Sequence, residues 1–349
     1  MGSKQAVASQ ADAVAALRRV AFLLERAQAS AYRSDAFRHA ARAIERMDAD
    51  ELQARLDGNS LTDLPGIGDR TASIAVAAAR GEPVEYLERL EAEDAASREP
   101  RPGDALRARL RGDLHTHTDA SDGGSPIQEM VLAAIEIGHE YMAVTDHSPR
   151  LTVANGLSAA RLRAQLDQIA ALNRAVAPFR VLTGIEVDIL DDGSLDQDPE
   201  LLARLDVVVA SVHSKLRMDR AAMTRRMVAA VGNPHVDVLG HLTGRQLTGR
   251  RQRPASEFDA EAVLSACAEN GVAVEVNCRP DRLDPPHALF EQAIELGCLF
   301  TIDSDAHAPG QLDWQIAGCD RAATHGLDAD RVIDAWPLDE LLDRLSARV

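Results

Sequence analysis

Two spacings in this 349-residue chain place metal-capable side chains two positions apart: His115-Thr116-His117 and Asp305-Ala306-His307. Leaving a strand end, the first pair would let two imidazoles grip one ion, and the second repeats that geometry with one carboxylate. Asp122, in a Ser-Asp-Gly-Gly loop shortly after the first pair, is either a turn residue or a further ligand candidate. His147, Glu186, His213, His241 and Asn277 each follow a short apolar run. A lone histidine after a strand is ordinarily a satisfied core or surface group, and His39, His139, His235, His287 and His325 take that reading. The strand-end residues persuade only as a set. Clustered dications lower the pKa of bound water toward neutrality and neutralise developing negative charge, so such a set points to metal-assisted hydrolysis with no protein nucleophile.

These side chains need a scaffold that converges strand ends. Seven apolar runs alternate with amphipathic helices: the stretch entering His115, Tyr141–Thr145, Val181–Ile185, Val207–Val212, Val236–Leu239, Val272–Val276 and Leu299–Ile302. The alternation predicts a parallel sheet or β/α barrel, with helix starts such as Ser125-Pro126 and stops at Gly138, Gly271 and Gly297. In such a barrel the active site lies at the C-terminal strand ends, where all these polar residues fall. The loop after His241 carries Arg245, Arg250, Arg251 and Arg253, and Arg279 and Arg282 follow the sixth run. Read as substrate contacts, their planar forks suit phosphate; a solvated charged loop is the equally weighted alternative. Cys278, beside Asn277, reads as a small buried filler.

The first ninety or so residues read as helical, with apolar periods over Ala13–Leu24 and Phe37–Met47. Leu61 to Gly68, followed by an alanine-rich stretch from Asp69 to Ala79, predicts a helix, a tight glycine hairpin and a second helix. Gly66, Ile67 and Gly68 would then offer backbone N–H groups to a DNA phosphate, with Asp69 as an opposing charge. Charged residues with Pro100, Pro102 and Gly103 mark a linker. The expected division is a helical domain over 1–92, a linker over 93–112 and a barrel over 113–349.

A hydrophobic content of 46% is ample for a folded core, while a formal charge of −17 opposes any broad electrostatic grip on nucleic acid. Four cysteines without C-x-x-C spacing imply no disulfide-linked partner. With neither a signal-peptide start nor a bilayer-length apolar run, a cytoplasmic protein without membrane contact is expected.

In chain order the motifs are His-x-His (His115, His117), aspartate before glycine (Asp122), Asp-His-Ser (His147), a strand-end glutamate (Glu186), Ser-Val-His-Ser (His213), Gly-His (His241) and Asp-x-His (Asp305, His307). From about Asp113 to the last strand this pattern resembles the PHP family, named for polymerase and histidinol phosphatase. The resemblance implies a distorted seven-stranded (β/α) barrel holding three divalent ions, with zinc, manganese and iron all compatible. It implies that Glu186 bridges two metals, that His115, His117 and Asp305 complete one site, that His213 and His241 serve the second, and that Asp122, His147 and His307 serve the third. Glu186, Asp305 and His307 are the catalytic candidates.

The helical segment resembles the small helix-hairpin-helix domain that opens bacterial family-X DNA polymerases, which carry a PHP module at their other end. The stretch from Glu275 to Asp284 is similar to their version of that module. The linker is too short to hold a nucleotidyltransferase core, so polymerase activity is not expected. Nor is Schiff-base lyase chemistry, because no lysine follows Lys4 in this domain and arginine stays protonated. The resemblance favours a DNA 3′-to-5′ exonuclease of repair, with DNA and repair proteins as partners. The alternatives are a phosphomonoesterase of histidinol-phosphatase type and a non-catalytic DNA-binding scaffold. The full ligand set opposes the scaffold, since burying so many carboxylates and imidazoles without metal would be costly.

Overall fold

The structure, a computed structural model, describes residues 9–96, 99–248 and 252–347. The chain forms two compact units, Met1–Pro100 and Arg101–Val349. The first is helical among its described residues: α1 (Gln10–Arg26), α2 (Ala31–Glu45), α3 (Ala49–Asp57), α4 (Asp69–Ala79) and α5 (Glu85–Ala96). Ser9 and Asp48 start α1 and α3 by accepting backbone N–H groups two to three positions into each helix. Leu17, Val20, Ala40, Ile44 and Ile74 share one buried core. Within it, Arg38 and Glu25 form a two-pronged pair at 3.0 and 2.8 Å. Between α3 and α4 the chain turns through Gly66, whose φ of 81° suits glycine, and a Cβ there would lie 2.4 Å from the His39 ring.

The second unit holds seven parallel strands paired in chain order: β1 (Gly112–Asp113), β2 (Tyr141–Val144), β3 (Arg180–Asp188), β4 (Val207–Ser211), β5 (Val238–Leu239), β6 (Ala273–Asn277) and β7 (Phe300–Asp303). Each is buried along its length apart from two positions near the start of β3, as continuous Val, Ile and Leu runs require of a sheet covered on both faces. All seven expected strands are present. β3 extends farther than its apolar run, pairing Asp188 with Ser211, so Glu186 lies inside a strand instead of just past one.

β1 and β7 close the barrel by a different means. A single bridge joins Thr116 to Ala306, and buried aspartates add further contacts. Asp303 Oδ1 accepts from Leu114 N at 2.7 Å, Asp113 from Ser304 N at 3.2 Å, and Asp334 from Ile302 N at 3.1 Å. The buried Gln315 amide donates to Gly112 O and Ile302 O, on opposite sides of this seam.

The expected linker over 93–112 is mostly structured. α5 continues to Ala96, and from Arg101 the chain belongs to the barrel unit. Arg101 pairs with Asp320, Arg107 with Asp313 and Arg109 with Asp330, which accounts for the charge that reads as linker. Gly103 marks close packing, since a Cβ there would meet the Cys319–Asp320 backbone at 2.4 Å.

Candidate metal centre

The C-terminal strand ends bring all nine candidate ligands together. His115 and His117 leave β1 fully buried, Glu186 projects from β3, and His213 and His241 follow β4 and β5. Asp305 and His307 follow β7, and Asp305 has a φ of 51°. Glu186 is the centre. Its Oε1 lies 3.2 Å from His213 Nε2 and 2.9 Å from His241 Nε2. Its Oε2 lies 3.3 Å from His115 Nε2, 3.5 Å from His117 Nε2 and 2.8 Å from His147 Nδ1. The two oxygens thus face different sets of imidazoles.

Among the described residues, three groups of donors each hold their ligand atoms within 4.8 Å of one another: His115, His117 and Asp305; His147, Glu186 and His213; and His117, Asp122, His147 and His307. His117 Nε2 is 3.4 Å from Asp305 Oδ1, and Asp122 Oδ1 is 3.4 Å from both His147 Nε2 and His307 Nε2. The His117 ring stacks on His147 at 4.4 Å and lies 4.3 Å from His307. His117 therefore joins the group around Asp122 as well as its own, and His147 reaches two groups.

The donor chemistry suits divalent ions. Nε2 of His115 and both ring nitrogens of His117 are buried without a hydrogen-bond partner, an expensive arrangement that a bound cation relieves. Burial works to raise the Glu186 carboxyl, but the imidazoles of His213, His115 and His147 outweigh it and hold the group well below the usual carboxylate range. Burial likewise works to lower His147, yet the Glu186 carboxylate outweighs it and lifts that imidazole to about 10. His117 goes the other way, pushed to about 3 by burial and by His307 and His147. The carboxylates draw positive charge inward while His117 stays neutral and ready to ligate.

Several partners were not visible in the spacing of motifs. His115 Nδ1 meets Glu275 of β6 at 2.5 Å, and His213 Nδ1 meets Asp188 of β3 at 3.2 Å. Asp146, just before His147, accepts from Thr118 N, Thr118 Oγ1, Ser121 Oγ and Gln165 Nε2, tying down the loop that carries Asp122. The available signal was a carboxylate inside an apolar strand, as in Val274-Glu275-Val276 and Val187-Asp188-Ile189.

The arginines divide. Arg279 Nη1 lies 3.1 Å from His307 Nδ1, and Arg282 Nε lies 3.5 Å from Asp305 Oδ2. Arg282 Nε and Nη1 are buried without a hydrogen-bond partner. Arg245 is instead bonded to the carbonyls of Arg282 and Leu283, beneath the loop that carries those two arginines. Arg253 donates to Gly244 O, and Arg250 and Arg251 lie outside the described residues. Cys278 is buried, and a Cβ on Gly318 would sit 2.4 Å from its sulfur, the contact of a packing residue.

Comparison with known proteins follows the same division. A PHP domain model matches residues 113–279, and a helix-hairpin-helix domain model matches residues 9–80. The DNA polymerase/3′-5′ exonuclease PolX of Bacillus subtilis (strain 168) is 40% identical over 232 residues, which make up 66% of this chain and 40% of that protein. The chain thus spans well under half of that relative's length. A protein named "Probable phosphatase" from Shewanella sp. (strain MR-4) is 31% identical over 242 residues, covering 66% of this chain and 86% of its own. A solved histidinol phosphate phosphatase from Lactococcus lactis, complexed with zinc, L-histidinol and phosphate, superposes with a TM-score of 0.42 at 20% identity, covering 62% of this chain and 92% of that one. With the Shewanella relative matched over most of its length and the domain model matched from the first strand to Arg279, the chain belongs to the PHP family of metal-dependent phosphoesterases.

Proposed function

We propose that this protein is a nuclease that removes nucleotides from DNA 3′ ends, its helical unit holding the nucleic acid and its barrel carrying the chemistry. The observation that supports this reading is the joining, in one chain, of a helix-hairpin-helix domain to the nine-residue cluster. The similarity to the Bacillus PolX protein points the same way. Gly66, Ile67 and Gly68 are the proposed backbone contacts, and repair proteins are the expected company.

Three divalent ions, zinc, manganese or iron, are assigned to the cluster. His115, His117 and Asp305 take one, His213 and His241 with Glu186 a second, and Asp122, His147 and His307 the third. Bound dications supply an activated water and neutralise phosphoryl charge. Glu186, with its two oxygens turned to different imidazoles, holds two of these positions in fixed relation. Asp305 and His307 bring ligand atoms beside Arg279 and Arg282, whose planar guanidinium forks suit a phosphoryl oxygen. Arg245 acts by supporting their loop, and Arg250 and Arg251 are kept as candidate phosphate contacts on their residue type alone.

A small phosphomonoester is the second reading, favoured by the length match to the Shewanella protein. Purified protein, assayed on 3′- and 5′-labelled DNA and on histidinol phosphate with added manganese, zinc or iron, separates the two. Release of nucleotides from the 3′ end is expected, with activity lost in D305A while its circular dichroism is unchanged. Turnover of histidinol phosphate alone would transfer the assignment to the second reading. Elemental analysis should find more than one transition-metal ion per chain, and full activity in metal-free protein would overturn both readings.

A further inference from the structure

β6 contributes none of the nine candidate ligands, yet it places two buried polar residues, Glu275 and Asn277, among them. The Glu275 carboxylate reaches two strand ends at once. Its Oε1 lies 2.5 Å from His115 Nδ1, and its Oε2 accepts from the His241 backbone N–H at 2.5 Å. Oε2 also accepts from Asn277 Nδ2 at 3.2 Å, and the same amide donates to Asp305 Oδ2 at 3.0 Å. One residue of β6 thereby touches the ends of β1 and β5 directly and that of β7 through Asn277.

The backbone shows what this contact holds. His241 and Asp305 have φ angles of 21° and 51°, a region that non-glycine residues seldom enter. Gly240 leaves the space: a Cβ on it would come 2.3 Å from Ser211 Oγ and 3.6 Å from Glu275 Oε2. The His241 N–H, aimed at Glu275, anchors the turn that directs the ring at Glu186.

We propose that Glu275 is the positioning residue of this centre, acting through His115 and His241. By accepting the proton of His115 Nδ1, it leaves the unprotonated nitrogen at Nε2, which faces Glu186 and Asp305 at 3.3 and 4.0 Å. A metal ion requires that tautomer. By accepting from His241 N, it fixes the second imidazole in register with the first. The inference rests on the proposed metal-binding role of the cluster, and its test separates the two.

Full-length wild type and E275Q are stripped with chelator and titrated with zinc and, separately, with cobalt. Glutamine keeps the shape, but its NH₂ end cannot accept, so one of the two N–H donors is left facing another donor. Zinc affinity is expected to fall by about ten- to a hundredfold, with a changed visible absorption of the cobalt-loaded protein. Wild-type zinc affinity together with an unchanged cobalt spectrum in E275Q overturns the proposal. In zinc-loaded wild type, nitrogen-15 NMR of the imidazoles should place the His115 ring proton on Nδ1, and a proton on Nε2 overturns the proposal as well. That measurement needs no variant, so it decides the matter even where E275Q does not fold. A wild-type chain that takes up neither metal would remove the metal-centre reading beneath the proposal.

Discussion

His139 is a buried imidazole outside the cluster, and it gives the fold an acid-sensitive element of its own. Burial and the nearby Arg107 guanidinium lower it to about 3 from an ordinary 6.5, so the native protein keeps this ring neutral. Below pH 6.5 the unfolded chain takes up a proton that the fold refuses until about pH 3. The stabilisation is therefore complete above 6.5 and is lost as pH falls through that window. Between about pH 7.5 and pH 5 this one group should cost about 2 kcal/mol. Urea melts of wild type and H139Q, both metal-free, check the difference: the variant should lose less stability on acidification by that amount. Equal pH slopes would mean that His139 is not held neutral.

At the scale of elements, α1 and α2 are joined by the buried pair of Glu25 and Arg38 as well as by apolar packing. Removing Arg38 takes two short hydrogen bonds from a buried carboxylate. R38M should therefore lower the stability of the helical unit by about 3–5 kcal/mol, whereas E25L combined with R38M should recover much of that loss. Differential scanning calorimetry of the two variants checks the non-additivity. The strands of the barrel were legible because parallel, fully covered strands leave unbroken apolar runs, and α4 was legible because the Pro-Gly-Ile-Gly turn sets its start. The long-range partners were not. Glu275 and Asp188 lie within their strands and owe their roles to neighbours far off in the sequence, Glu275 to His115 and Asp188 to His213. Arg101 and Gly103 read as linker because the aspartate that holds them, Asp320, lies far along the chain.

For the whole molecule, that correction sets where the chain can be divided. A fragment beginning at Arg101 retains the contacts with Asp320, Asp313 and Asp330, whereas one beginning at Gly112 forfeits them. The fragment from Arg101 should hydrolyse a small chromogenic phosphate ester as the full chain does, while processing of DNA falls roughly 100-fold through loss of the tethered binding unit. Equal rates on DNA would deprive the helical unit of its assigned role. Among the described residues, no helix is long and apolar enough to cross a membrane.

The barrel seam carries one further consequence. His115 and His117 lie on one side of it and Asp305 and His307 on the other, with a single bridge and a few buried aspartates between them. An ion held by both sides would work as a clasp, so ligand binding and closure of the barrel become one equilibrium, stabilised as metal concentration rises above its dissociation constant. Asp113, raised above the usual carboxylate range chiefly by burial, lies at the same joint. Hydrogen exchange should register this as a local opening: on chelation, amides of 112–117 and 302–307 should exchange faster while those of β4, on the far side of the barrel, keep their protection. Uniform acceleration through every strand would mean that the barrel loosens as a whole. A selective change would tie closure of this joint to occupancy of the ligand cluster.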